Sequence, residues 1–149
     1  LSSQPIIESF SIFRKFPSTL KIDVKKTKIL ANRFIDGQNF LIGSNGKLIR
    51  SKKQINDIPL VFGNFDNKEF LKIKEMIDAT KLVYKDIDSI YYFDSKRWDI
   101  KMKDGILIKL PNEKALSALK FAVDLLSTKK FEDIKIIDTR INNQIILNE

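Results

Sequence analysis

The segment KRWDIKMKDGILIKLP, residues 96–111, alternates apolar and charged side chains more strictly than any other part of the chain. The apolar side chains fall on one face of two predicted strands: Trp98, Ile100 and Met102 before the turn, and Ile106, Ile108 and Leu110 after it. The opposite face of the first strand carries charged residues: Asp99, Lys101 and Lys103. Because successive side chains of a strand point to opposite faces, the pattern predicts a β-hairpin with one buried face and one solvated face.

The turn of this hairpin is predicted to contain three residues, 103–105. A two-residue Asp-Gly loop would set the apolar face of one strand against the charged face of the other, whereas the three-residue loop pairs Ile100 with Ile108. The last residue of the loop is a glycine, which then takes a left-handed conformation with a positive φ. The same register places Asp99 across from Lys109 on the solvated face, as a weakly stabilising pair.

Most of the remaining chain also predicts antiparallel hairpins. Residues 7–28 contain two alternating runs around Pro17-Ser18, and residues 29–49 predict three strands with turns at Asp36-Gly37 and Asn45-Gly46. Tyr91, Tyr92 and Phe93 belong to a strand that leads into the hairpin of residues 96–111. Residues 134–147 predict two more strands around Asn142-Asn143, of which the last runs from Gln144 to Leu147.

Two segments predict helices. In residues 66–84, Asp66 is the expected cap, Glu69 is in the capping-box position, and the apolar stripe is Phe70, Ile73 and Ile77. In residues 112–130, Asn112 is the expected cap and the stripe is Leu116, Leu119, Val123 and Leu126. The predicted fold class is therefore α+β, a mostly antiparallel β-sheet of successive hairpins packed with two helices.

The residue content argues against catalysis. The chain has no histidine and no cysteine, which excludes disulfides, thiolate or imidazole metal sites, and nucleophiles activated by histidine. The aspartates most open to a catalytic interpretation, Asp36 and Asp104, fall in predicted turns, where aspartate is favoured because its side chain bonds to the backbone. We therefore expect no enzyme activity and no cofactor.

The charge of the chain favours acidic partners. Its 149 residues include 27 Lys and Arg against 19 Asp and Glu, a net charge of +8, which suits nucleic acid, anionic lipid or an acidic protein surface. A basic nucleic-acid-binding β-barrel-like module is the alternative function, with Tyr91, Tyr92, Arg97 and Trp98 as a stacking platform. The alternation of Trp98 with Ile100 favours instead a place for the tryptophan in the core.

Three stretches form an ordered set of motifs. IESFSIFRKFPSTLKIDVKKTKILA, residues 7–31, contains an aromatic-Pro-x-Thr-Leu turn and a basic strand; RWDIKMKDGILIKL, residues 97–110, is an Arg-Trp strand, a turn and a strand ending in leucine. IIDTRINNQIIL, residues 136–147, contains Asp-x-Arg before a last strand. In this order and over nearly the whole chain, the three resemble the extracytoplasmic part of the bacterial cell-division family FtsQ, also called DivIB.

The resemblance implies a domain organisation and a location. Residues 1–26 would be the C-terminal part of an incomplete POTRA-like domain, and residues 27–149 an FtsQ-type β domain. The family has a short cytoplasmic tail and one transmembrane helix before these domains, which places this region on the periplasmic side of the inner membrane. The chain begins at Leu1 and has no apolar run near the roughly 20 residues that a membrane-spanning helix needs. We expect it to be a region of a longer protein.

The resemblance also implies a function, that of a non-enzymatic scaffold of the divisome that binds FtsB- and FtsL-like proteins. The family's surface for FtsB lies at the last strands of the β domain, where a partner can add a strand to an open sheet edge. The corresponding partner-binding residues are Arg140, Ile141, Asn142, Asn143, Gln144, Ile145 and Leu147. The chain departs from some relatives, which carry an aromatic residue where this chain has Ile141. Self-association is left open, and nucleic acid is not an expected partner.

Overall fold

The computed structural model describes residues 5–128, 133–141 and 146–148. The chain divides into two compact units, Leu1–Gln54 and Ile55–Glu149. The domain boundary predicted after residue 26 is based on the resemblance to a POTRA domain, whereas the boundary between the two units is based on compactness. The predicted domain boundary therefore stays a prediction.

The first unit contains a hairpin and a meander. The hairpin consists of β1 (Ile7–Lys15) and β2 (Thr19–Lys26), and the meander of β3 (Ile29–Ile35), β4 (Gln38–Gly43) and β5 (Leu48–Arg50). Neighbouring strands pair in antiparallel fashion. Asp36 and Gly37 both have positive φ, at 48° and 78°, as the Asp-Gly turn signal predicts.

The second unit contains six described strands and two helices. In chain order these are β6 (Leu60–Phe62), α1 (Asn67–Asp78), β7 (Ile87–Tyr92), β8 (Trp98–Met102), β9 (Leu107–Lys109), α2 (Ala115–Ser127), β10 (Ile136–Asp138) and β11 (Ile146–Asn148). Their order across the sheet is β11-β10-β9-β8-β7-β6. The β6–β7 and β9–β10 pairs are parallel, because in each case a helix makes the crossover between the strands. The α+β fold class with two helices and a mostly antiparallel sheet is confirmed.

The register of the β8–β9 hairpin is the predicted one. Ile100 pairs with Ile108, the Met102 N–H donates to the Ile106 carbonyl at 2.8 Å, and Gly105 has a φ of +97°. A Cβ at Gly105 would meet no atom within 4 Å, so the position requires glycine for its backbone conformation and not for space.

The core of the second unit contains the predicted apolar face of this hairpin. Ile100, Ile108 and Leu110 are fully buried. Trp98 is 8% exposed, and its ring packs against Tyr92 at 4.6 Å and Phe65 at 5.3 Å between centroids. The tryptophan therefore belongs to the core, and the stacking platform considered for nucleic acid is not formed.

The two helices match the sequence prediction unequally. Asp66 caps α1 as predicted, its side chain accepting from the Lys68 N–H at 2.9 Å. Glu69 does not close a capping box; its carboxylate accepts from the Tyr92 hydroxyl at 2.9 Å. The buried stripe of α1 is the predicted one: Phe70, Ile73 and Ile77.

The start of α2 differs from the prediction. Asn112 is not its cap, because the chain turns through residues 112–114 and the helix begins only at Ala115, after Lys114 with a φ of 58°. The residues that α2 buries are Ala115, Leu119, Ala122 and Val123. Leu116 and Leu126, expected in the buried stripe, are half-buried. The small alanines Ala115 and Ala122, which the predicted stripe of large side chains left out, are buried as well.

Candidate functional site

The last described strand, β11, is at the end of the strand order and pairs with β10. Ile146 lies across from Asp138, and Leu147 lies across from the fully buried Ile137. Because side chains alternate along a strand, Leu147 points to the core side and Ile146 to the opposite face. Ile146 is accordingly 42% exposed, while Leu147 is half-buried.

The predicted partner-binding residues are only partly described. Arg140 and Ile141 are exposed, with Ile141 at 49%, and both lie just after β10. Asn142, Asn143, Gln144 and Ile145 lie outside the described residues. Ile146, which the predicted set omits, is the exposed apolar side chain of β11. Its orientation could not be read from the sequence, because it depends on which of the three consecutive apolar residues, 145–147, aligns with the buried face of β10.

Asp138 and Arg140 form an ion pair beside this edge. The Arg140 Nε donates to the two carboxylate oxygens of Asp138 at 2.8 and 3.0 Å, and Nη2 donates to Oδ2 as well. The backbone N–H of Arg140 donates to Oδ1 at 3.1 Å. These bonds lower the pKa of Asp138 and raise that of Arg140. The guanidinium is therefore held in one orientation by its own chain.

Thr139, the middle residue of the Asp-x-Arg motif, joins the segment after β10 to β9. Its N–H donates to the Lys109 carbonyl at 3.0 Å, and its hydroxyl donates to the same oxygen at 2.7 Å. Thr139 is buried. The motif thus has a structural function in addition to any binding function, since it fixes where the chain leaves β10.

A row of side chains crosses four strands and ends at Ile146. Its members, in cross-strand order, are Asp99 on β8, Lys109 on β9, Asp138 on β10 and Ile146 on β11. The sequence predicts Asp99 to be solvated, and this is wrong, because Asp99 is 4% exposed. The alternation pattern of a single strand separates its two faces but does not reveal how deeply each face is buried.

The buried carboxylate of Asp99 is poorly satisfied. Its Oδ1 is 3.9 Å from the Arg97 Nε, and neither atom has a hydrogen-bond partner among the described residues. Burial raises the pKa of Asp99, although the positive charges of Arg97, Arg140 and Lys109 act in the opposite direction. Arg97 itself lies over the Phe93 ring, 4.3 Å from its centroid.

The described part of the chain contains neither a candidate metal-binding cluster nor a candidate membrane-spanning helix. Within residues 5–128, 133–141 and 146–148, no three acidic, histidine or cysteine side chains cluster closely enough to hold a metal ion. No helix among these residues is long and apolar enough to cross a membrane. What the edge offers a partner is backbone N–H and C=O groups on β11, an exposed isoleucine and an oriented guanidinium.

A match to a protein-family model identifies the family of this chain. The family model described as "Cell division protein FtsQ/DivIB, C-terminal" matches residues 33–140, which is more than half of the chain. The chain belongs to the FtsQ/DivIB family. The resemblance seen in the sequence motifs is confirmed, and the family consists of bacterial cell-division proteins rather than of a known class of enzyme.

Individual members of the FtsQ/DivIB family show similarity over different shares of the chain. The cell division protein DivIB of Staphylococcus aureus is 30% identical over 114 residues, which cover 72% of this chain and 26% of that protein. The cell division protein FtsQ of Rickettsia prowazekii is 28% identical over 147 residues, covering 96% of this chain and 55% of that protein. The chain thus spans about a quarter to about half of these relatives.

One solved structure is also similar, that of the major extracytoplasmic domain of DivIB from Geobacillus stearothermophilus. It is 17% identical, with a TM-score of 0.49, and the match covers 70% of this chain and 98% of that one.

Proposed function

We propose that this FtsQ/DivIB region is a non-enzymatic scaffold of the divisome that binds FtsB- and FtsL-like proteins. The partner adds a strand to the outer edge of β11. The observation that carries the proposal is the position of β11, which ends the strand order and pairs only with β10 among the described residues. The N–H and C=O groups of an edge strand that point away from the sheet are available to a partner's backbone.

Ile146 gives this edge an apolar contact. It is 42% exposed and lies across from Asp138, so a partner strand beside β11 would cover it. An exposed apolar residue on an open edge is an aggregation hazard unless another chain covers it. Burial of this isoleucine would therefore favour the complex over the free protein.

Arg140 gives the edge its charge specificity. Asp138 engages Nε and Nη2 of the guanidinium, and the Arg140 side chain remains 37% exposed. A carboxylate of the partner would bind the remaining face of the guanidinium, where Nη1 lies. Because Asp138 already orients the group, little side-chain entropy is lost on binding.

We also propose that residues 1–26 are the C-terminal part of a POTRA-like domain, on the periplasmic side of a single-pass inner-membrane protein. One face of the β1–β2 hairpin supports this. Its apolar side chains are 46–59% exposed: Ile12, Leu20, Ile22 and Val24. A contiguous exposed apolar face of this kind marks a surface that another element covers, which suits a hairpin that is one part of a larger domain.

The test of the edge uses two variants and a matched control. Ile146→Asp places a charge on the exposed face of β11, and Arg140→Gln removes the oriented cation. Phe121→Asp is the control, since Phe121 is 53% exposed on α2. Binding to the periplasmic segment of an FtsB-like protein from the same bacterium is measured by calorimetry, and folding by thermal melting. We expect both edge variants to bind at least about tenfold more weakly and the control to bind as the wild type does. Unchanged binding by two folded edge variants would place the partner elsewhere.

A further inference from the structure

The net charge of the chain is confined to its first unit. Residues 1–54 contain eleven Lys and Arg and three Asp and Glu, whereas residues 55–149 contain sixteen of each. The whole charge of +8 therefore belongs to the unit Leu1–Gln54. Such an asymmetry gives one part of a molecule an attraction for anions that the other part lacks.

Two exposed aromatic rings lie at the tip of the β1–β2 hairpin in this unit. Phe16, in the turn, is 91% exposed, and Phe13 is 55% exposed. Phe13 lies across from Lys21 in the β1–β2 ladder, and Lys15 is on the same face of β1, two residues along. The face that holds Phe13 and the lysines is opposite to the face of Ile12 and Ile22.

The lysines of this face are exposed to solvent. Lys15 is exposed, and the Lys21 side chain is 70% exposed. Lys21 lies 3.4 Å from Asp23, an exposed pair that contributes little to stability and that an external anion can replace. Phe16 projects from the turn and Phe13 from the last part of β1, beside exposed lysines. The hairpin therefore has an amphipathic tip, with apolar groups at its end and cations around it.

We propose that the tip of the β1–β2 hairpin docks on an anionic lipid surface. Phe16 and Phe13 enter the headgroup region, and Lys15 and Lys21 contact lipid phosphates. Basic residues near an anionic bilayer each add to the attraction, and apolar side chains that leave water add a contribution that salt does not screen. Nucleic acid fits the tip less well, because a single strand needs successive rings along a groove rather than rings at the end of a hairpin. This docking does not depend on the proposed partner edge.

Vesicle flotation with the full 149-residue chain tests the docking. One set of vesicles contains phosphatidylcholine and phosphatidylglycerol at three to one, and the other contains phosphatidylcholine alone. We expect binding to the anionic vesicles only. Lys15→Gln/Lys21→Gln should weaken it about 10- to 30-fold, and Phe16→Ser about tenfold. The control, Lys85→Gln/Lys101→Gln, removes two exposed lysines from the neutral second unit and should bind as the wild type does.

Three results would overturn the proposal. The first is equal binding to both kinds of vesicle, and the second is equal loss in the tip and control double variants. The third is a combination of two observations: Phe16→Ser binds vesicles as the wild type does, and a single-stranded oligonucleotide binds the chain as tightly as the vesicles do. Oligonucleotide binding is followed by fluorescence anisotropy. The hairpin would then be a general polyanion-binding surface. Thermal melting of each variant verifies folding, and Phe16 is too exposed for its replacement to unfold the hairpin.

Discussion

Asp99 lies directly across from Lys109 in the β8–β9 ladder, yet its carboxylate is buried and its Oδ1 accepts no hydrogen bond from a described residue. The alternation pattern predicts that this cross-strand pair is solvated. In the structure, the carboxylate of Asp99 is instead a charged group in a poorly solvated position. Burial disfavours the ionised form, which is why the pKa of Asp99 is raised above its ordinary value of 3.8 despite nearby cations.

This relationship predicts a pH dependence for Asp99. Because the folded state binds the proton more tightly than the unfolded state, the contribution of Asp99 to stability is fully present below pH 3.8 and is lost as pH rises through the higher folded pKa. Asp99→Asn removes this titration. The free energy of unfolding of the variant minus that of the wild type should therefore increase as pH rises from about 3 to 7. Urea denaturation at several pH values measures this difference, and a flat or falling difference would show that Asp99 is satisfied as an anion.

Asp138 should behave in the opposite way. Hydrogen bonds from Arg140 lower its pKa, so its contribution to stability is present above its ordinary pKa and is lost as pH falls through the lower folded pKa. Asp138→Asn should cost about 1 kcal/mol at pH 7, because Arg140 is partly exposed and the pair is partly screened. The cost should shrink in the same urea titrations below pH 4. The free energy of unfolding of the variant minus that of the wild type should therefore change with pH in opposite directions for Asp99→Asn and Asp138→Asn.

Trp98 should be the most sensitive large side chain of the β8–β9 hairpin. It is 8% exposed and packs on Tyr92 and Phe65, so Trp98→Ala should lower the free energy of unfolding by about 3–5 kcal/mol. Phe121→Ala is the control, because this ring is 53% exposed and its loss should cost less than about 0.5 kcal/mol. Chemical denaturation followed by circular dichroism compares the two, and similar costs would contradict the assignment of Trp98 to the core.

Gly63 and Gly105 require glycine for different reasons. Both have positive φ, at 112° and 97°, but a Cβ on Gly63 would clash with the carbonyl oxygen of Tyr92, whereas one on Gly105 meets nothing within 4 Å. Gly105→Ala should therefore cost about 1 kcal/mol for its backbone conformation alone. Gly63→Ala should cost clearly more in the same denaturation experiment. Equal costs would mean that the backbone at Tyr92 moves aside without penalty.

Most of the fold could be predicted because it depends on local patterns. Alternation and turn residues fixed the β8–β9 register, down to the positive φ of Gly105, and the caps and apolar spacing located α1. Two of the predictions that failed concern features that the local pattern does not determine. Glu69 bonds to Tyr92 rather than to its own helix end, and Asp99 is buried although the alternation of its own strand predicts a solvated position. The helix α2 begins later than predicted because residues 112–114 form a turn before it.

The candidate site was predictable in position but not in detail. The motif Asp-x-Arg and the terminal position of the last strands locate the edge, since an edge strand is a matter of strand order. The pairing of Asp138 with Ile146 is not visible in the sequence, because it requires the register between β10 and β11. This register is what makes Ile146, and not Leu147, the exposed side chain.

Hydrogen exchange at β11 tests strand addition most directly. Amide exchange of residues 146–148 is followed by NMR or mass spectrometry with and without the FtsB-like segment. The β5 strand of the first unit, Leu48–Arg50, which pairs with β4 alone among the described residues, is the control edge. We predict that the partner slows exchange in β11 at least about tenfold and leaves β5 unchanged, because a partner strand would bond the outward N–H groups of β11 alone. Saturating partner that leaves exchange in β11 unchanged would contradict strand addition at this edge.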